Sequence, residues 1–132
     1  MSDKLQFDLV SPERKLASIS ADEVVIPGVD GEMAARPGHS PVMTTLRAGF
    51  VAVQEGDRAH GYFVSGGFAE VSPEAVTILA EEAEEHADVT RASIDNYIAR
   101  IEDLILVANE QERAKLDVKL MELRNLHAVL DD

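Results

Sequence analysis

His39 stands between two prolines in Pro37-Gly38-His39-Ser40-Pro41, and an imidazole presented by so stiff a backbone is the first candidate for chemistry in the sequence. It could act as a catalytic base or as a contact residue, and the competing reading is a turn histidine bonded to its own backbone. His60 and His86 do not stand at a spacing that pairs with His39. Without a clustered second imidazole or carboxylate, a zinc or iron centre has no support. Ser65-Gly66-Gly67-Phe68 is rich in glycine but lacks the phosphate-loop lysine and the spacing of a dinucleotide fingerprint, so it reads as a tight hairpin or a bulge. No Gly-x-Ser-x-Gly elbow occurs, which leaves nucleophilic catalysis without a residue to rest on. The acidic run Glu81-Glu82-Ala83-Glu84-Glu85 lacks the spaced ligands and the glycine turn of a calcium loop and reads as a solvated linker. No catalytic residue and no metal ligand is expected.

The elements that must position these residues fall into two halves. From Leu5 to Leu79 apolar residues recur mostly at period two, in short runs broken by Gly, Pro and Asp, as half-buried strands do. Leu5, Phe7 and Leu9 share one face of such a strand. Further strands are expected at Leu16 to Ile19, Glu23 to Ile26, Val42 to Leu46, Phe50 to Gln54, Ala59 to Val64, Gly67 to Val71 and Ala75 to Leu79. Val29-Asp30-Gly31 and Glu55-Gly56-Asp57 supply turns between them. Seven or more short strands with tight connections predict a β-sandwich or flattened barrel.

Beyond the acidic run the period changes. Ile94, Tyr97, Ile98, Ile101, Leu104 and Ile105 fall on one helix face, and Leu116, Leu120, Leu123, Leu126 and Leu130 on another. Asn109 with Glu112 three residues on has the pattern of a capping box, and the short Val107 to Asn109 connection predicts an antiparallel helical hairpin. The division is therefore a β-sandwich over 1–87 and a helical hairpin over 88–132.

At 132 residues the chain has room for one domain plus an appendage, and 45% hydrophobic with 28% charged residues is ordinary globular usage. The net charge of −13 repels phosphate backbones and anionic headgroups, so nucleic acid and direct lipid contact are not expected as partners. Residues 1–87 carry 15 acidic and 6 basic side chains and residues 88–132 carry 10 and 6, so neither half is basic. There is no cysteine, hence no disulfide and no thiolate metal site. No stretch approaches the roughly 18 apolar residues of a membrane span, and the N-terminus has no apolar run after a positive start. A cytosolic chain, held at a membrane only by a partner, is the expectation.

Two segments together resemble the ε subunit family of bacterial rotary, F-type proton-translocating ATP synthases. One is Val24-Val25-Ile26-Pro27-Gly28-Val29-Asp30-Gly31-Glu32 running on to Pro37-Gly38-His39-Ser40-Pro41-Val42. The other is Val64-Ser65-Gly66-Gly67-Phe68-Ala69-Glu70-Val71 followed by Val76-Thr77-Ile78-Leu79-Ala80. Leu9-Val10-Ser11-Pro12-Glu13 is similar to the family as well, whereas Met33-Ala34-Ala35-Arg36 departs from it. The resemblance implies a non-catalytic rotor part whose sandwich grips the γ shaft and touches the ring of c subunits, peripheral on the cytoplasmic face of the inner membrane. By position, it implies that Ser11 and His39 face γ and that Glu32, in a turn, meets the c ring.

Asp88-Val89-Thr90-Arg91-Ala92 resembles the motif by which some members bind ATP, with Ala87 where they have Ile or Leu; Asp88, Arg91 and Ala92 would be its residues. The second helix offers Lys115, Lys119 and Arg124 in place of those members' arginines, so weak ATP binding at most is implied, and a helix cap with salt bridges is the competing reading. In many members a basic second helix docks on the catalytic β subunits and blocks hydrolysis. Residues 109–132 here hold four basic against six acidic side chains, a net −2, so such inhibition is expected to be weak. Two readings from other classes stay open at this point, a nucleotide-sensing regulator and a freestanding ligand-binding β-sandwich.

Overall fold

The computed structural model describes residues 4–130, and the chain divides between Ala87 and Asp88 into a β unit and a helical unit. The β unit has eight strands: β1 (Leu5–Val10), β2 (Lys15–Ala21), β3 (Glu23–Gly28), β4 (Gly31–Ala35), β5 (Val42–Thr45), β6 (Gly49–Glu55), β7 (Arg58–Val71) and β8 (Ala75–Glu85). Their hydrogen-bonded order is β2-β1-β8-β7-β6-β3-β4, with β5 also paired to β7; β1 runs parallel to β8 and the other pairs are antiparallel. β2 lies against β6, distant in this order, so the sheet doubles over into two layers. Between them lie Leu5, Phe7, Leu9, Val24, Ile26, Val51, Val53, Val64, Ala69, Val71, Val76 and Ile78, all buried in one cluster. Each large side chain there contributes about 1.5–3 kcal/mol. The Phe7 and Tyr62 rings stack within it at 5.9 Å. This is the sandwich that the period-two pattern predicts.

Five local expectations are corrected. Ala59 to Val64 and Gly67 to Val71 are halves of one 14-residue strand, β7, and Ser65-Gly66-Gly67 is neither hairpin nor bulge, since pairing with β8 keeps one register from Tyr62↔Glu85 to Val71↔Val76. What changes there is the face: Val64 and Ala69, an odd five residues apart, both point into the core. The left-handed φ of Gly66 (73°) and Gly67 (97°) permits the break in alternation, and Gly67 sits so close to Leu79 that a Cβ would lie 1.9 Å from its carbonyl oxygen.

The acidic run Glu81 to Glu85 is the end of β8 and not a linker: its backbone completes the ladder with β7, and Ala83 packs against the core. Alanines as the inward residues leave too little contrast for a strand pattern. Gly31 to Ala35, left outside the expected strands, pairs with β3 through the two-residue turn Val29–Asp30 to make β4, with Ala35 buried and Met33 packed on the core. Glu32 is thus the second residue of a strand rather than part of a turn.

The helical unit consists of α1 (Arg91–Val107) and α2 (Glu110–Val129), packed on each other and joined by two residues. Asn109 and Glu112 form the expected capping box, with mutual backbone hydrogen bonds of 2.9 and 3.0 Å. A second box, Thr90 with Ser93, starts α1. Arg124–Glu102 and His127–Asp95, both at 2.9 Å, tie the helices side by side. Such exposed pairs fix alignment more than they stabilise.

Candidate functional site

One outward sheet face collects a row of apolar side chains. Pairing places Phe68 of β7 opposite Leu79 of β8, and Leu79 opposite Val10 of β1, so the three project from the same surface. Met43 of β5, opposite Glu70, extends the row on a diagonal. Met43 is 60% exposed, Leu79 41% and Phe68 39%. Next to this row the face turns polar. Gln6 donates to Ser18 Oγ at 3.0 Å, and Lys15 lies 3.2 Å from Asp8. Burial alone would raise the Asp8 carboxyl, but hydrogen bonds from Ser18, Lys15 and Gln6 and the Lys15 charge outweigh it and hold the group below its ordinary range. An apolar strip beside satisfied polar groups is the anatomy of a protein-binding surface.

Ser11 follows Val10 at one end of β1, where its N–H donates to the Arg14 carbonyl at 2.9 Å and its hydroxyl to the same oxygen at 3.3 Å. His39 lies at the opposite end of the face, in the loop that enters β5. That loop is fastened by Gly38 N–H to the Pro73 carbonyl (2.8 Å) and by His39 N–H to the Arg36 carbonyl (3.1 Å). The imidazole Nδ1–H donates to the Ser40 carbonyl at 2.7 Å, which leaves the other ring nitrogen for a partner. The two residues border one face but do not meet, since Ala75, two residues after Pro73, and Leu79, opposite Val10, are four strand residues apart, about 13 Å. Glu32 stands at the β3–β4 hairpin, exposed, with Arg47 Nη2 at 4.0 Å. The hairpin is held to the end of β5 by Val29 N–H to the Thr45 carbonyl (2.9 Å), which puts Glu32 at a third corner, away from Ser11 and His39.

Asp88, Arg91 and Ala92 are exposed at the start of the helical unit, where Thr90 is the α1 cap and Arg91 Nε donates to the His127 carbonyl at 3.3 Å. The cap reading of this segment thus has a geometry of its own. No group of three or more metal-ligating side chains occurs among the described residues. The buried Tyr62 phenol is pushed up by burial and by Glu85 and Glu55, so it stays neutral and offers no base. The apolar row is absent from the sequence reading, which assigns no face to Phe68; the break in alternation at Gly66-Gly67 turns that side chain outward.

A flattened β-sandwich with an outward apolar strip has the kind of surface that docks on other proteins. Residues 4–86 match the model of the ATP synthase delta/epsilon chain β-sandwich domain. ATP synthase epsilon chains from *Cereibacter sphaeroides* and *Hyphomonas neptunium* are 41% and 44% identical, over 97% and 98% of both chains respectively. That of *Parvibaculum lavamentivorans* is 45% identical over 96% of this chain and 97% of its own. A chain of the *Euglena gracilis* mitochondrial ATP synthase, in a structure of its OSCP, F1 and c-ring, shares the fold with a TM-score of 0.71 at 22% identity, over 97% of this chain and 82% of that one. The chain belongs to the ATP synthase epsilon chain family.

Proposed function

We propose that this chain is a non-catalytic rotor subunit of a bacterial F-type proton-translocating ATP synthase. It joins the γ shaft to the c ring and carries rotation between the membrane and catalytic sites on other subunits. The observation that supports this reading best is the row Met43, Phe68, Leu79 and Val10 on an otherwise polar sheet face, bordered by Ser11 and His39. A stable interface takes about 800 Å² from each partner with an apolar centre and polar rim, and an apolar row among polar neighbours supports this face as the one that meets γ. Glu32, exposed at its separate corner, is the residue assigned to the c ring. No helix among the described residues is long and apolar enough to cross a membrane. The chain sits peripherally on the cytoplasmic face of the inner membrane, held through γ and the c ring.

The helical hairpin has at most a weak regulatory role towards the catalytic β subunits, because residues 109–132 carry a net −2 and gain nothing from electrostatic steering to an acidic loop. ATP binding through Asp88, Arg91 and Ala92 is weak for a related reason: Arg91 is engaged with the His127 carbonyl, and the second helix offers lysines where forked guanidinium contacts are needed. Mixing the chain with purified γ and following the mixture by gel filtration tests the central claim. A co-eluting complex with the wild-type chain that is lost with Phe68→Glu is the expected result. A chain that never co-elutes with γ, and instead carries a small metabolite through purification, is a freestanding binding sandwich.

A further inference from the structure

At the far end of the sandwich the chain leaves the sheet through a slot that one glycine keeps open. The β7–β8 ladder ends at Tyr62↔Glu85, while β7 continues to Arg58 paired with β6 alone. The next residues, His86–Asp88, form a short 3-10 turn with no buried member. The His86 imidazole of this turn lies on the sandwich, its ring centre 4.3 Å from that of Phe50 at 36°. Phe50 in turn meets the buried Phe63 edge-on at 6.2 Å, so the imidazole is the outermost of three rings. Gly61 makes the room. A Cβ at that position would meet His86 Nδ1 at 3.0 Å and Cβ at 3.1 Å, and the backbone there has no left-handed φ to call for glycine. Beside the ring is an open depression of about 470 Å³ lined by His60, Gly61, Tyr62, Glu85, His86 and Ala87, so the imidazole, itself exposed, is not enclosed on that side. His60 does not make this a metal site, since its imidazole pairs with Glu55 at 3.0 Å and no group of three or more ligating side chains occurs among the described residues.

We propose that His86 is a releasable pin: docked on Phe50 in the slot left by Gly61, it holds the end of β8 and the turn after it on the sandwich, and its withdrawal frees the segment that leads to the helical hairpin. A single ring contact of this kind shifts a local opening equilibrium by about threefold to tenfold, enough to bias the segment while leaving it able to open. Amide hydrogen exchange on the full chain tests the pin. His86→Ala, Phe50→Leu and Gly61→Ala should each speed exchange over residues 84–89 by about threefold to tenfold, while Val51 and Ile78 in the core keep their rates. His86→Phe should stay slow, because another ring fills the slot. The Gly61→Ala and His86→Ala double variant should be no faster than His86→Ala alone, because the bare Gly61 matters only when there is a ring to admit. Unchanged exchange in His86→Ala, additive effects in the double variant, or faster exchange in the core amides would each overturn the assignment.

Discussion

Ser65, beside the glycine pair of β7, has 0% exposure and a hydroxyl with no hydrogen-bond partner. A buried hydroxyl that bonds to nothing gives up its water contacts without return, so removing it should not cost stability. Ser65→Ala is expected to leave the unfolding free energy unchanged or raise it by up to about 1 kcal/mol in urea denaturation. A loss larger than that would mean that an ordered water satisfies the hydroxyl. His39 presents the opposite case. One of its ring nitrogens is committed to Ser40 and the loop is pinned at Gly38, so a partner meets a rigid imidazole edge. His39→Asp should weaken γ binding by about 2 kcal/mol, roughly thirtyfold, because the new carboxylate must be desolvated at a packed contact. Titration calorimetry that finds an unchanged Kd for a folded variant would reassign His39 as a loop histidine serving only its own turn.

Among the elements, β7 and β8 do most to shape the molecule, because both pass through the face switch at Gly66-Gly67 without losing register. Gly67→Ala puts a methyl group 1.9 Å from the Leu79 carbonyl oxygen at a φ of 97°, where the backbone itself is costly for an L side chain. We expect a loss of at least ~3 kcal/mol, read as a lowered urea midpoint with an unchanged m-value. A loss under 1 kcal/mol would show that β7 and β8 can slide past each other there. The helices illustrate what local sequence specifies well. Asn109 and Glu112 announce their cap three residues apart, and the cap forms with both hydrogen bonds. Thr90 and Ser93 form one too, hidden behind a segment that resembles a nucleotide motif.

For the molecule as a whole, acid stability rests on carboxylates whose folded forms are favoured as anions. Hydrogen bonds from Lys4 and from the Gly56 N–H, at 2.6 Å, lower the Asp22 carboxyl, and Asp8 is lowered as well. A folded pKa below the unfolded value of 3.8 means stabilisation that is present above that pH and lost as pH falls through the folded value. Wild type should therefore exceed Asp22→Asn in stability at pH 7, and the gap should close below pH 3.8; a gap independent of pH would mean that the bonds do not depend on the charge. The two-unit division gives a functional prediction as well, since the hydrophobic cluster of the sandwich draws only on residues before Ala87. Deleting residues 88–132 should leave coupling intact and raise ATP hydrolysis of the reconstituted complex less than about threefold, a change of ~0.7 kcal/mol. A tenfold rise would show strong inhibition by the hairpin in spite of its charge.

The sequence by itself determined the class of fold, the change of period after the acidic run, the cap at Asn109 and the segments that mark the family, because alternation, helical spacing and side-chain capping act over a few residues. Only the tertiary structure decided where β4 and the end of β8 lie, since β4 gives the core only Met33 and Ala35 and the end of β8 only Ala83, and the pairing strand supplies the order that so short a pattern lacks. It alone turned Phe68 outward, through two left-handed glycines whose effect on the face is invisible to a period-two count. It also set Ser11, His39 and Glu32 at three separate corners. Distances between residues far apart in the chain follow from strand order and sheet closure, and those are long-range pairings that no local pattern encodes.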